Sequence, residues 1–131
     1  MTQPMTTCIR MLLAAVLSLA AGLAQALTIQ AYTPAALSAA QQAGKPVAVL
    51  FHADWCPTCK QQERALERMK AESGLEVLLL VADYDKEKDL RKAMNVRVQS
   101  TLVVFRGATE KSRLGGETEP DKLRAALRAA L

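Results

Sequence analysis

The sequence predicts an α/β protein in which a mixed β-sheet, with a parallel core and an antiparallel hairpin, is flanked by helices. Two observations predict this class. Continuous apolar, β-branched runs are separated by helical patterns, and two strand-like segments joined around Gly107 follow late in the chain. A strand buried on both faces has such an apolar run, and a helix between two such strands gives a parallel crossover. The length of 131 residues suffices for one domain and not for two ordinary ones.

The start of the chain has the three-part layout of a secretory signal peptide. Met1–Arg10 is polar, Met11–Ala24 is almost wholly apolar, and small residues stand at the two positions before Leu27 that signal peptidase reads. The apolar run is shorter than the roughly 20 residues that a membrane-spanning helix needs. We therefore expect a signal peptide over residues 1–26, a mature domain over residues 27–131 and a periplasmic location. An uncleaved signal that anchors the protein in the membrane is the alternative.

The mature domain contains segments with strand or helix patterns in the order β-α-β-α-β-α-β-β-α. In chain order they are Leu27–Tyr32, Pro34–Ala43, Pro46–His52, Pro57–Ser73, Leu75–Ala82, Lys86–Met94, Thr101–Arg106, Glu110–Leu114 and Pro120–Leu131. Thr33 is a predicted N-cap, and Gly44 and Gly74 follow the first two helices as C-terminal stops. The last helix places apolar residues at i, i+3, i+4 and i+7, so that one face packs inward.

The domain retains two cysteines, Cys56 and Cys59, because Cys8 precedes the apolar run and would leave with the signal peptide. Two cysteines this close cannot form a multi-disulfide framework. They lie where the strand Pro46–His52 gives way to a helix. Residues i and i+3 of a helix share a face, so the two sulfurs can meet. The pattern favours redox chemistry with no cofactor beyond the redox-active disulfide Cys56–Cys59.

Cys56 is the predicted nucleophile of this pair. At a helix N-terminus, unpaired backbone N–H groups and the helix dipole favour a thiolate. Such positions lower a cysteine pKa from about 8.5 to between about 3.5 and 7.5. Pro57 suits the first helical turn, where its missing N–H leaves nothing unpaired. Cys59, deeper in the helix, would then resolve the mixed disulfide.

Two segments of the chain resemble the thioredoxin superfamily. Residues 51–60 (FHADWCPTCK) are similar to the active-site strand and loop of periplasmic thioredoxin-like reductases, and the ADWC portion to the C-terminal domain of the membrane reductant DsbD. Residues 95–102 (NVRVQSTL) are similar to the family segment that faces the cysteines and holds the substrate backbone. The resemblance implies the thioredoxin fold and thiol–disulfide exchange. The substrate-binding residues that it implies are Trp55, Pro57, Gln99, Ser100 and Thr101. For Trp55 a purely structural place, as an aromatic lid beside the motif, stays open.

The chain departs from the family pattern at three places. Ser100 stands where the family usually has a cis-proline. We expect the Gln99–Ser100 bond to be trans, because a cis bond before a residue other than proline costs roughly 2.5–4 kcal/mol. The buried aspartate and lysine that assist proton transfer in many thioredoxins align with Leu50 and Val81. The proline that often kinks the active-site helix aligns with Arg64.

Without that aspartate, proton removal from Cys59 must rely on water or on another titratable side chain. His52 and Asp54 are the candidate proton shuttles, and Asp83 is a further carboxylate. Imidazole titrates near neutral pH, which suits a shuttle. Simple packing beneath the active-site loop is the alternative for His52.

The composition disfavours several other classes of protein. Zinc would need two more ligands, and the chain has one histidine and no third cysteine after processing. Haem attachment needs a histidine where Lys60 stands. A structural disulfide would close a loop too short to constrain the unfolded chain much. Without Arg10 the mature chain keeps 16 of the 17 basic side chains against 13 acidic ones, interspersed, with few aromatic residues. We expect no metal and no nucleic-acid partner.

The function that these observations favour is that of a periplasmic thiol–disulfide oxidoreductase, a reductase by analogy with the proteins its motif resembles. Its partners would be disulfide-containing protein substrates and a membrane electron donor of the DsbD or CcdA type. We expect a monomer that makes no membrane contact after signal cleavage. One alternative is a thioredoxin-fold adaptor or chaperone that holds Cu(I) with the same two cysteines. Another is a scaffold domain that keeps the cysteines without turnover.

Overall fold

The strands form one mixed sheet in the computed structural model, which describes residues 26–131. Its strands are β1 (Thr28–Ala31), β2 (Pro46–His52), β3 (Leu78–Asp83), β4 (Thr101–Arg106) and β5 (Thr109–Gly115), and its helices are α1 (Pro34–Gln42), α2 (Pro57–Met69), α3 (Lys88–Ala93) and α4 (Pro120–Arg128). The predicted signal peptide lies, but for Ala26, outside the described residues. Within residues 26–131 no helix is both long and apolar enough to cross a membrane.

The strand order in the sheet is β1-β3-β2-β4-β5. Strands β1 and β2 both pair parallel with β3, whereas β4 pairs antiparallel with β2 and β5. The predicted parallel core and antiparallel hairpin are therefore confirmed. The register of β2 on β4 places Phe51 opposite Thr101, so the end of β2 that leads into the cysteines lies beside the start of β4.

The sheet separates two hydrophobic cores, one on each face. Successive residues of β2 alternate between them: Ala48 and Leu50 belong to one core, and Val47, Val49 and Phe51 to the other. Helices α2 and α4 cover the first face. Helix α1 and the apolar side chains of the α3 region cover the second. Both faces of β2 are buried, which explains its continuous apolar sequence.

All four helices end earlier than the sequence pattern predicts, α1 and α3 by one residue and α2 and α4 by three or four. Helix α2 ends at Met69 rather than Ser73. The next three N–H groups, those of residues 70–72, donate to carbonyls three residues back, which tightens the last turn. Helix α4 ends at Arg128 rather than Leu131, and Leu131 likewise donates three residues back, to Arg128. Side-chain periodicity continues through such a turn, so the sequence alone extends the helix.

The other boundaries differ by at most three residues. Strand β3 begins at Leu78 rather than Leu75, because the Val77 N–H turns back to the Leu75 carbonyl, although both side chains are buried. Helix α3 is shorter by two residues at its start and one at its end. Thr33 caps α1 as predicted, its Oγ1 accepting from the Ala36 N–H at 3.1 Å.

Candidate active site

The two cysteines lie at the start of α2, directly beyond β2. Cys56 is the N-cap residue, and its Sγ accepts a hydrogen bond from the Cys59 N–H at 3.2 Å. A serine or aspartate oxygen commonly fills this role, and here the sulfur does. Pro57 occupies the first helical turn as predicted. The helix dipole therefore favours negative charge on the Cys56 sulfur.

Both thiols are free and buried, with 2% of Cys56 and none of Cys59 exposed. They pack with Ala53, and Tyr84 lies partly buried against the same cluster. The structure therefore shows the reduced, dithiol state of the pair. Among residues 26–131, no group of three or more His, Cys, Asp or Glu side chains is placed to hold a metal ion.

The Ser100 side chain lies within hydrogen-bond distance of both cysteine sulfurs. Its Oγ lies 3.2 Å from Cys56 Sγ and 3.1 Å from Cys59 Sγ. No peptide bond in the described part of the chain is cis, so the Gln99–Ser100 bond is trans, as expected. Ser100 instead has a φ of 63°, a left-handed conformation that costs free energy in residues other than glycine.

Hydrogen bonds hold Ser100 in this conformation. Its N–H donates to the Phe51 carbonyl at 2.9 Å, and its carbonyl accepts from the Gly116 N–H at 3.0 Å. The carbonyl also accepts from Gln62 Nε2 at 2.9 Å. Both backbone polar groups are thus paired in a buried place, where an unpaired group would be costly. The loop therefore holds the Ser100 backbone in one conformation, with the Cβ directed at the sulfurs that the hydroxyl contacts.

Gln62 is a functional-site residue that sequence analysis missed. It is fully buried on α2, one turn after Cys59, and its Nε2 also donates to the Glu117 carbonyl at 2.8 Å. The two carbonyl acceptors fix the amide orientation, and Oε1 has no partner among the described residues. The signal in the sequence was its position: Gln62 is a polar residue at i+3 from Cys59 and i−4 from Leu66, on the apolar face of the helix.

The pKa values of the two thiols move in opposite directions. Burial raises the pKa of Cys56, but hydrogen bonds from the Cys59 and Ser100 side chains and from two backbone N–H groups outweigh burial, so the pKa lies below its ordinary value. Burial raises the pKa of Cys59, and the hydrogen bond with Cys56 raises it further. Cys56 is therefore the thiol of the pair that ionises more readily, and Cys59 the one that keeps its proton to higher pH.

The other predicted substrate-binding residues lie around this pair, and all but Thr101 reach the surface. Trp55 is 60% exposed, and its Nε1 donates to Asp85 Oδ2 at 2.8 Å. Pro57 is exposed and Gln99 half-buried. Thr101 is buried, and its Oγ1 donates to a backbone carbonyl of its own loop. Asp85, which orients the indole ring, had no sequence signal of its own.

His52 and Asp54 pair with each other. His52 Nε2 lies 3.2 Å from Asp54 Oδ1, and within the described residues neither side chain hydrogen-bonds a cysteine sulfur. Asp83 accepts from two backbone N–H groups of the turn after β3. Burial raises its pKa, and those hydrogen bonds lower it below the ordinary value. A part for His52 or Asp54 in proton transfer stays a prediction.

A reduced cysteine pair at the N-terminus of the helix that follows the central strand, in this sheet order, defines a thioredoxin-fold protein with a CXXC motif. Residues 28–129 match the model of the thioredoxin family, to which this chain belongs. Homologues in this family are thiol–disulfide oxidoreductases.

Individual relatives agree with this assignment. Mitochondrial thioredoxin from Mus musculus is 31% identical over 83 residues, 63% of this chain and 50% of that protein. This chain therefore spans about half the length of the curated relatives it matches. Thiol:disulfide interchange protein DsbD 1 from Pseudomonas aeruginosa is 55% identical over 40 residues, 30% of this chain and 7% of that protein. Among solved structures, Trxlp from Edwardsiella tarda EIB202 gives a TM-score of 0.72 at 36% identity, covering 76% of this chain and 98% of that one.

Proposed function

We propose that this protein is a periplasmic thiol–disulfide oxidoreductase that reduces disulfides in protein substrates with the dithiol of Cys56 and Cys59. The observation that carries the proposal is the asymmetry of the pair. At the start of α2, Cys56 Sγ accepts a hydrogen bond from the Cys59 N–H, and the pKa of Cys56 is lowered. The pKa of the buried Cys59 thiol is raised. One sulfur is thus ready to attack, and the other is held back as the thiol.

The reaction proceeds in two exchanges. The Cys56 thiolate attacks one sulfur of a substrate disulfide, a mixed disulfide forms, and the other substrate sulfur leaves as a thiolate that takes up a proton. Cys59 then loses its proton and attacks the Cys56 sulfur. The Cys56–Cys59 disulfide forms, and the second substrate sulfur leaves. In total, two electrons pass from the protein dithiol to the substrate.

The surface around Cys56 would bind the substrate chain. Trp55 projects there as a large exposed ring, held by Asp85. Its neighbour Pro57 is exposed too, and Gln99 is half-buried on the facing loop. An aromatic ring fixed at one edge offers apolar contact area at little entropic cost. We assign substrate contacts to these side chains and to the loop that carries Ser100 and Thr101.

The periplasmic location of the protein and the direction of electron flow are supported by two different observations. The signal-peptide pattern of residues 1–26 supports export to the periplasm. The similarity to DsbD 1 over 40 residues supports the reducing direction. Because the periplasm is kept oxidising, a periplasmic reductase needs a membrane donor that returns electrons to its disulfide. A donor of the DsbD or CcdA type fits that need.

The redox potential of the purified protein tests the direction. The protein is equilibrated in glutathione or dithiothreitol buffers of known ratio, and the thiol state of Cys56 is read by alkylation and mass spectrometry. A reductase should have a potential far below the approximately −120 mV of the oxidant DsbA. A value near that of DsbA would contradict the reducing direction.

Turnover and location need two further measurements. A steady-state assay with a disulfide-bonded protein and dithiothreitol should lose its catalysed rate in Cys56→Ala, and equal rates in both proteins would refute catalysis. Mass spectrometry of the periplasmic fraction should find a chain that begins at Leu27. A chain that stays with the membrane at full length would support the anchored alternative.

A further inference from the structure

We infer that the Ser100 hydroxyl is a positioning group that holds both sulfurs of the dithiol and thereby stabilises the reduced protein against its disulfide. The inference rests on the thiol–disulfide exchange proposed above. The observation behind it is that one oxygen lies within 3.2 Å of both sulfurs, at 3.2 Å from Cys56 and 3.1 Å from Cys59. Within the described residues, Ser100 is the one side chain besides the cysteines that hydrogen-bonds them.

A single hydroxyl can serve two sulfurs in different protonation states. It has one O–H to donate and lone pairs with which to accept. With Cys56 as thiolate and Cys59 as thiol, the Ser100 O–H donates to the Cys56 sulfur, and the Ser100 oxygen accepts from the Cys59 S–H, whose one hydrogen is shared with the Cys56 sulfur. The bond to the thiolate is charge-assisted, and such bonds are about twice as strong as neutral ones.

Oxidation removes the basis of both hydrogen bonds. When the pair gives two electrons to a substrate, the Cys56 sulfur loses its negative charge and the Cys59 sulfur loses its proton, which in the overall balance ends on a released substrate thiol. The new S–S bond has neither a charge to stabilise nor an S–H to donate. Ser100 itself neither gains nor loses a proton. The hydroxyl therefore favours the dithiol, and this raises the reduction potential.

The backbone around Ser100 shows that the hydroxyl is held in place. Its N–H and carbonyl are bonded to Phe51, Gly116 and Gln62, so the backbone cannot move away without breaking three hydrogen bonds, and the hydroxyl itself is held by its burial and its bonds to the two sulfurs. These bonds maintain the φ of 63° that aims the side chain at the cysteines. A side chain fixed in this way acts on the sulfurs without first losing rotational freedom.

Other titratable groups near the pair have different partners. Tyr84 packs against the cysteine cluster, but its hydroxyl donates to the Arg97 carbonyl. His52 and Asp54 pair with each other. The chemistry of the sulfurs should therefore respond to Ser100 more than to these groups.

The test compares two variants that lack the hydroxyl. Ser100→Ala keeps a Cβ, and Ser100→Gly also relieves the left-handed backbone. In both, the equilibrium constant for oxidation in glutathione or dithiothreitol buffers should rise about tenfold or more, since hydrogen bonds to charged groups are the strong ones. Tenfold corresponds to a fall of about 30 mV in potential. The ultraviolet absorbance of the Cys56 thiolate should also titrate at higher pH in both variants.

A matched control removes a hydroxyl elsewhere. Ser38, on α1, accepts a hydrogen bond from Gln42 at the exposed surface, and Ser38→Ala should keep the wild-type potential. If Ser100→Ala and Ser100→Gly both keep the wild-type potential while the wild type cycles, the inference is wrong and the proposed function stands. If the potential shifts in only one of the two variants, the effect comes from the backbone rather than the hydroxyl, and the inference is also wrong. A wild type that never forms the Cys56–Cys59 disulfide contradicts the proposed function and the inference together.

Discussion

Replacing Gln62 with leucine tests whether a buried amide holds the active-site loop. Gln62 is fully buried, and its Nε2 donates to the carbonyls of Ser100 and Glu117 at 2.9 and 2.8 Å. Leucine has a similar volume and a good helix propensity, so Gln62→Leu removes the amide and leaves α2 filled.

The magnitude follows from the partners that remain. The Ser100 carbonyl still accepts a hydrogen bond from the Gly116 N–H, so it loses one of its two bonds. The part-buried Glu117 carbonyl loses its hydrogen bond from the Gln62 amide. Two hydrogen bonds contribute about 1 kcal/mol each, and an unpaired buried carbonyl costs about 1–3 kcal/mol. Removing Oε1, itself without a partner among the described residues, offsets part of this. We expect a loss of about 2 kcal/mol in the free energy of unfolding.

Urea denaturation of the reduced protein measures this loss. With a slope between about 1 and 3 kcal/mol per molar, a loss of about 2 kcal/mol lowers the midpoint by roughly 1 M. Gln61→Leu is the matched control, because Gln61 is the exposed neighbour on the same helix, and its midpoint should change little. If Gln62→Leu is as stable as the wild type, the amide does not hold the loop and our reading of the Ser100 geometry fails.

Three further predictions concern the core, the thiols and the indole ring. Leu66→Ala, at a fully buried position of the core beside α2, should cost about 2–5 kcal/mol in thermal or chemical unfolding, and a loss below 1 kcal/mol would contradict the packing. The rate of Cys56 alkylation should rise with pH and reach its plateau at a lower pH than that of a free thiol, because the pKa of Cys56 is lowered. In Cys56→Ala, Cys59 should react only at higher pH, because burial raises its pKa. Equal pH profiles for the two thiols would refute the asymmetry. Asp85→Ala should free Trp55 and change the emission of the one tryptophan. It should also raise the substrate KM about two- to tenfold at unchanged kcat, as expected for one lost hydrogen bond. Asp85→Asn keeps an acceptor and should resemble the wild type; if the alanine variant behaves like the asparagine one, the ring is not held by Asp85.

The element order and the cysteine pair could be predicted because local sequence determines them. The apolar run of β2, for example, continues without interruption, since both faces of that strand are buried. The CXXC pair follows at the point where the strand ends and the helix begins, which places Cys56 at the N-cap. Periodicity and capping operate over a few residues, and so the sequence exposes them directly.

The remaining features depend on residues that are distant in sequence. The Ser100 hydroxyl lies beside two sulfurs more than forty positions away, and the two carbonyls that accept from Gln62 belong to residues far along the chain. Contacts between residues so far apart in the chain cannot be predicted from the local patterns of one sequence. The premature end of α2 is different: its cause is a tightened last turn, which side-chain periodicity does not record.

The hydrogen bonds at Ser100 also have a consequence for the motions of the site. The Ser100 N–H bond to Phe51 and the Gly116 N–H bond to the Ser100 carbonyl stand at the end of the ladders that join β4 to β2 and β5. Ends of ladders open more readily than their centres. Amide hydrogen exchange at Ser100 and Gly116 would therefore report how often the sheet frays beside the cysteines. Each such opening moves a hydroxyl away from two sulfurs, so fraying of the sheet and availability of the thiols are parts of one equilibrium.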